Sequence, residues 1–476
     1  MLRLGNRLAW LIAPALLVVM ISLNPPKPTY LMGDFRAFYC AGQVIAHHAN
    51  PYLNQPLRSC EVVAGPPAEP LGMRSVTLPA PLPPYALLLF VPFAALPFPL
   101  AAGCFELFLI AAMTAAIVLY ARVAAVPSLW LYLAFAGITA SVTYYAGQPV
   151  PFVLLAFAGA ALAVRHQRWN VAAACMLITT MEPHLALPAV AAMLIALPRT
   201  RLPVALGTVL LAALGVAAVG PYTAIIYVSQ VIPAHALANA YEWQFSLTSL
   251  LTSFGIAAAS AVHFGELMYG LMLIAGVVVA MRLRRATGDA AALVVIPPAF
   301  AVFGGVHVHS QQLVVALPAM LYVFARYPRV RTMAATGITF AMIPWNIMSS
   351  AAMAGCFPVL VGAFAGATLG RRRGLLLTAI AAGIALSLVA GALLGLGPAD
   401  AHYAAQASAP DALAETSWGP FSQQVLSKSS FLMEWLRVPT VAGLALGLCS
   451  ITSAAFARPE TDAARNRLNA TVAVQS

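Results

Sequence analysis

Apolar runs of bilayer-crossing length recur from Leu8 almost to the last residues of the 476-residue chain, separated by short polar punctuation. Crossing about 30 Å of hydrocarbon takes about 20 helical residues. Inside hydrocarbon a backbone must satisfy its own hydrogen bonds, which leaves helices or closed barrels. These runs lack the alternating pattern of barrel strands, so they predict helices. Charged residues make up 8% of the chain and hydrophobic ones 62%; a soluble domain needs about a quarter charged. The reading is an all-α, polytopic membrane helix bundle, a single integral domain over residues 1–476 with about 12–14 crossing segments.

The formal net charge of +11 would point to nucleic acid in a soluble chain. Here the arginines gather in short clusters between apolar runs, as the positive-inside rule requires, so no nucleic-acid partner is read. Arg165/Arg168, Arg199/Arg201, Arg282/Arg284/Arg285, Arg326/Arg329/Arg331 and Arg371 to Arg373 each close a hairpin on the cytoplasmic side. The first apolar segment, after Arg3 and Arg7, is read as an uncleaved anchor with a cytoplasmic N-terminus.

A long hydrophilic segment, 24–80, follows outside the membrane. From Asp34 to His48 the residues Phe35, Phe38, Tyr39, Gly42, Ile45 and Ala46 fall at helical spacing, which predicts an amphipathic interfacial helix with Asp34 at its N-terminal end. Spans at 81–97 and 101–121 come next. Counting sides to the basic cluster at Arg165 leaves one segment that must not cross, and 129–145 is chosen as re-entrant or interfacial, with Gln148 outside. Glu182-Pro183-His184, the loop 230–263 and His307/His309 then fall on the outer side, as does a late segment, 397–431, that carries no motif. The tail, 457–476, is cytoplasmic. Polar residues in apolar surroundings therefore collect on one side, which is the main functional signal.

Asp34 is read either as a helix N-cap or as a general base, because a carboxylate at a membrane boundary beside aromatics can be pushed toward working pH. Arg36 can face lipid phosphates or bind an anionic head group in a bidentate way. His307 and His309 form no ligand set with the following Ser310-Gln311-Gln312, so no metal is expected; a phosphate or substrate contact and a structural hydrogen bond stay open. Glu182 and His184 are possible substrate residues, since ionisable groups inside apolar runs are functional candidates. The segment around Gln244 suits a sugar or head group, or an interfacial belt. His47, His48, His235 and His263 are read as solvated or interfacial. Of six cysteines, Cys104, Cys175, Cys356 and Cys449 are core residues, whereas Cys40 and Cys60 share the first outer loop, where an oxidising compartment permits a disulfide. Whether they pair stays open.

Several of these residues recur together in a known order: Asp34-Phe35 with Phe38-Tyr39, Asn50-Pro51-Tyr52, Leu82-Pro83-Pro84-Tyr85, Leu96-Pro97, Gly147-Gln148, the Pro183 turn, Gln244-x-Ser246-Leu247 and His309. In this the chain resembles glycosyltransferase family 87, the polyprenyl-phosphate-mannose-dependent mannosyltransferases of GT-C type, from about Asp34 to about Tyr327. It departs from the family pattern at His47-His48-Ala49-Asn50, at Glu182 and at Ser310-Gln311-Gln312. The resemblance implies a GT-C bundle in a bacterial inner membrane, working on the periplasmic side with a polyprenyl-phosphate sugar donor and a lipid or glycan acceptor, without cofactor. It implies Asp34 as base and His309 on the donor phosphate. Arg36, His307, Gln148, Gln244 and Tyr39 are expected as further substrate contacts. A transporter of lipid-linked saccharides and an inactive relative are the alternative readings.

Overall fold

The computed structural model describes residues 32–65, 76–127, 135, 146–242, 244–341, 409–426 and 431–457, with scattered positions between 372 and 386. The N-terminal anchor, Cys356 and the tail beyond 457 lie outside the described residues. In chain order the helices are α1 (Gly33–Ala46), α2 (Asn54–Ala64), the broken α3 (Pro84–Ala94), α4 (Phe98–Ala124), α5 (Val150–Arg165), α6 (Trp169–Thr179) and α7 (Pro183–Ala196). There follow α8 (Pro198–Asn239), α9 (Leu247–Ser253), α10 (Ala258–Thr287), α11 (Ala292–Gly304), α12 (Leu317–Arg326), α13 (Arg331–Ala341), α14 (Glu415–Phe421) and α15 (Phe431–Phe456). The described residues thus form an all-α bundle. Helices α4, α8 and α10, of 27, 42 and 30 residues, are long and apolar enough to cross a membrane.

Two ends of the bundle are defined by α4. At 1.5 Å per residue it is about 40 Å long. At its start Phe98 and Phe105 stack on Phe35 of α1. At its finish the carbonyls of Val123 and Ala124, which helix geometry leaves without intrahelical partners, accept from Arg165 and Arg326. We name these the aspartate end and the arginine end. At the latter, Asp289 between α10 and α11 pairs with Arg165 at 2.6 Å and with Arg326 at 3.3 Å, and Arg284 of α10 donates to the Ala196 carbonyl that ends α7.

Several helices are too short to follow α4 across. With 16, 11 and 14 residues, α5, α6 and α7 reach about 24, 16 and 21 Å from the arginine end. Their other ends form a floor below the start of α4, and Gln148, Glu182 and His184 stand on it. Gly304-Gly305 ends α11 at the same floor, followed by His307 and His309.

The first hydrophilic loop covers that floor. Helix α1 forms where periodicity predicts it, and it is buried along most of its length rather than on one face only. Gly42 is what lets it sit so close, since a Cβ there would lie 2.7 Å from the Phe90 carbonyl carbon of α3. A disulfide between Cys40 and Cys60 ties α1 to α2 with Cα atoms 5.6 Å apart. The late segment is strapped across the same loop: Asn54 donates its N–H to the Ala412 carbonyl, Ala414 to that of Tyr52, and Leu53 bridges Leu413.

One expectation is corrected. The stretch 81–97, read as a span, begins and ends beside the first loop: Tyr52 hydroxyl donates to the Leu82 carbonyl at 2.9 Å and Tyr39 hydroxyl to that of Leu96 at 2.8 Å. Helix α3 is short and broken by Pro84 and Pro92, and Pro removes backbone donors and interrupts a helix. The segment chosen as non-crossing, 129–145, lies outside the described residues apart from Phe135. Its flanks, Ala124 and Gln148, stand at opposite ends.

Candidate active site

Asp34 occupies the first turn of α1 but does not cap it. Met32 takes the capping position with a left-handed backbone and no side-chain cap bond, so the carboxylate is free for a tertiary partner. That partner is Gln148, whose Nε2 donates to Asp34 Oδ2 at 2.5 Å. The turn that delivers Gln148 needs Gly147: its φ is +75°, and a Cβ would lie 2.5 Å from Phe35 Cβ. Asp34 remains partly open to solvent, yet burial among protein raises its pKa to about 6, against the opposing effects of the Gln148 bond and the Arg36 charge.

Facing Asp34 is Glu242, in the short linker between α8 and α9. Burial pushes its carboxyl up to about 7, the Trp418 hydrogen bond pulls the other way, and the charge of Asp34 adds to the rise. Its Oε2 lies 3.7 Å from His309 Nδ1, so Glu242 is coupled by charge to Asp34 and by proximity to His309, the two residues that the family resemblance singles out. Trp418 of α14 donates to its Oε1.

The loop bearing His307 and His309 is braced from several directions. Val308 donates its N–H to Gln244 Oε1 at 3.0 Å, Phe245 N–H bonds the Val308 carbonyl, and Gln244 Nε2 reaches the Asn239 carbonyl. His309 N–H is held by Gln312 Oε1, while Gln312 Nε2 donates to Glu182 Oε2 at 3.3 Å. That same oxygen lies 3.7 Å from His184 Nδ1. The His307 ring sits between those of His184 and His235, with centroids 5.2 and 5.5 Å away, and 6.4 Å from His309.

Asp34, Gln148, Glu182, His184, His307 and His309 therefore line one continuous polar group at the floor. Gln244 supports it from behind. Tyr39 and Arg36 face elsewhere: the Tyr39 hydroxyl donates to Leu96 and accepts from Gln43, and Arg36 Nη1 donates to the Gly65 carbonyl at 3.3 Å in a second charged group with Glu61 and Arg58. Glu61 there accepts from Leu78 N–H through both oxygens.

Four further residues of the site escape a reading of the sequence. His235, expected to be solvated or interfacial, joins the histidine group on the part of α8 that follows its Gly220 kink and the π-helical turn Tyr227–Val231; His47, His48 and His263 are exposed as expected. Glu242 lies two residues before Gln244, just outside the polar stretch singled out. Glu415 and Trp418 belong to the late segment, where nothing local distinguishes them. Among the described residues no group of three or more His, Cys, Asp or Glu side chains is placed to hold a metal ion.

An acid of raised pKa beside a set of imidazoles, at one end of a helix bundle, is a candidate catalytic site. Residues 82–302 match the model of glycosyltransferase family 87, as the sequence resemblance implies, and the match indicates a glycosyltransferase. Gln148, Glu182, His184, His235, Glu242 and Gln244 fall inside the matched residues; Asp34, His307 and His309 fall outside them. No curated protein and no solved structure matches the chain.

Proposed function

We propose that the protein transfers a hexose, mannose in the first instance, from a polyprenyl monophosphate to an acceptor hydroxyl on the outer face of the bacterial inner membrane. The observation that carries this reading is the Asp34 carboxylate, oriented by Gln148, raised to about 6, and linked through Glu242 to His309. A base needs a pKa near the working pH and a fixed direction; Asp34 has both.

In the reaction the acceptor oxygen attacks the anomeric carbon as its proton passes to Asp34. The bond from that carbon to the phosphate oxygen breaks on the opposite face, so the configuration inverts and polyprenyl monophosphate leaves. His309 donates a hydrogen bond to the departing phosphate, an electrostatic role that acts most where charge develops. Gln148 keeps Asp34 aimed. Arg36, expected on the phosphate, acts instead at a distance, its charge favouring the ionised form of Asp34. The lipid chain of the donor leaves through the apolar flank of α8, whose large side chains, among them Leu206, Val209 and Leu210, are exposed.

The test is transfer of labelled sugar from polyprenyl-phosphate-mannose in detergent, with a membrane lipid extract as acceptor, for wild type and Asp34→Asn. Product from wild type and none from a folded variant is the expected result. Equal product from both removes Asp34 as base.

A further inference from the structure

Beside the Asp34–Glu242–His309 line lies a second group that the transfer step does not use. It consists of His184 on α7, His235 on α8, His307 in the loop after α11, and Glu415 on α14. Each presents a buried atom with no hydrogen-bond partner: His184 Nε2, His235 Nδ1, His307 Nδ1 and Glu415 Oε2. Glu415 is 3% exposed. Buried polar atoms are nearly always bonded, and leaving one unmet costs about 1–3 kcal/mol. Four of them on neighbouring side chains from four separate elements mark a place where something binds.

The protonation of His235 follows from its neighbours. Trp418 Nε1 can only donate, and it bonds Asn239 Oδ1 at 3.2 Å. The amide nitrogen of Asn239 therefore faces His235 Nε2, 2.6 Å away. In that arrangement Nε2 accepts and Nδ1 carries the hydrogen, pointing toward Glu415 Oε1 at 3.9 Å, beyond direct bonding. The gap leaves an N–H donor and a carboxyl side by side, both ready for a third group.

Two carboxyls, Glu182 and Glu415, flank the three imidazoles, so the group mixes donors and acceptors, whereas an ionised phosphate offers acceptors alone. Hydroxyl groups are matched instead, since each can accept from an imidazole N–H and donate to a carboxyl. We propose that His184, His235, His307 and Glu415 form the pocket for the pyranose ring of the donor, separate from the phosphate contact at His309. This rests on the transferase reading of the same site. The late segment thereby gains a role, because Glu415 contributes one wall of the sugar pocket and Trp418 of the same helix orients both His235 and Glu242. Burial raises the Glu415 carboxyl to about 7, so near neutral pH it can also donate to a sugar oxygen.

A site built to bond hydroxyls discriminates strongly against a ligand without them. The experiment measures binding of two lipids, polyprenyl-phosphate-mannose and polyprenyl phosphate, to the full-length protein in detergent, for wild type, Glu415→Ala and His235→Ala. Both variants are checked for monodispersity and for an unchanged unfolding temperature. The expected result is about tenfold weaker binding of the sugar-bearing lipid with binding of polyprenyl phosphate within twofold of wild type. Equal loss on both lipids, or loss on neither, overturns the pocket while the transferase reading stands. Wild type that binds neither lipid overturns the transferase reading and the pocket with it. If Glu415→Ala does not fold, His235→Ala decides alone; it removes the unpartnered Nδ1 together with one Asn239 hydrogen bond at Nε2, and its folding is checked by the same unfolding temperature.

Discussion

Asp289 at one end of the bundle and Asp34 at the other are both partly buried acids held by side-chain donors, yet they are driven in opposite directions. Burial raises both. At Asp289 the Arg165 hydrogen bond and charge, with Arg326 beyond, outweigh that rise and bring the carboxyl below its usual value. At Asp34 the donor is the neutral amide of Gln148, which orients the carboxylate without cancelling its desolvation, and the result is about 6. At the arginine end, Asp289 and the carboxyl ends of α4, α7 and α12 are thus met by arginines. On the floor at the aspartate end, Asp34, Glu182 and Glu242 instead accept from the neutral side chains of Gln148, Gln312 and Trp418, which leaves protons able to move near neutral pH.

The largest effect that can break this comparison is on turnover. Asp34→Asn removes the base and keeps a hydrogen-bonding group of the same size, so transfer should fall about a thousandfold. The wild-type rate should rise with pH through about 6, because Asp34 must be ionised to accept a proton. Asp289→Asn should leave that midpoint where it is. A wild-type profile that is flat from pH 4 to 8 would remove the distinction between the two acids.

Next in size is the covalent tie. The aspartate end is held by the Cys40–Cys60 disulfide, 20 residues apart in sequence, whereas the arginine end is held by charge. Closing a loop of that length is worth about 3 kcal/mol. Cys40→Ser with Cys60→Ser should therefore lower the unfolding temperature in detergent, and a reductant should do the same to wild type but nothing further to the double variant. Reductant-dependent melting of the double variant would show that another thiol is responsible.

Asp289→Asn should cost about 2–3 kcal/mol, since it leaves Arg165 and Arg326 facing a neutral group. The sign of its pH dependence follows from a folded value below the usual 3.8. The contribution is present above 3.8 and is lost only as pH falls through the lower folded value. Wild type and Asp289→Asn should converge in unfolding temperature once pH falls below the ordinary carboxylate range and differ most near neutrality. Equal stability at pH 7 would mean that the arginine end is closed by its helix caps alone.

These contrasts also mark what the sequence makes legible. The grouping of arginines at one end is readable because their clusters recur with an even number of apolar runs between them, and Arg165, Arg284 and Arg326 do share one end. Helix α1 is readable from its periodicity. The turn at Glu182 is readable because an ionisable pair interrupts an apolar run. What cannot be read is which short apolar runs cross: 81–97 and 150–164 look alike in composition, and only the contacts of Leu82 and Leu96 show that the first stays at one end. Nor can Glu415 be read as part of the site. It meets His235 only because Asn54 and Tyr52, more than three hundred residues earlier, hold the late segment by backbone bonds. Pairing at that range leaves no local pattern, and a glutamate in a polar stretch looks solvated.

The smallest expected effect tests that same glutamate against Asp289 by stability rather than activity. Burial lifts Glu415 from 4.5 to about 7, so the folded protein holds a proton that the unfolded chain releases. Stability is therefore fully present below about 4.5 and is lost as pH rises through about 7, the reverse of the Asp289 case. Glu415→Gln keeps the shape and removes the titration. It should melt close to wild type at pH 5 and be the more stable of the two at pH 8, where wild type must either bury a charge or lose its proton-bearing contacts. Thermal unfolding of both proteins across that range reads the crossing directly. A variant that is less stable at pH 8 would mean that Glu415 is ionised and paired, and that the aspartate end handles its acids as the arginine end does.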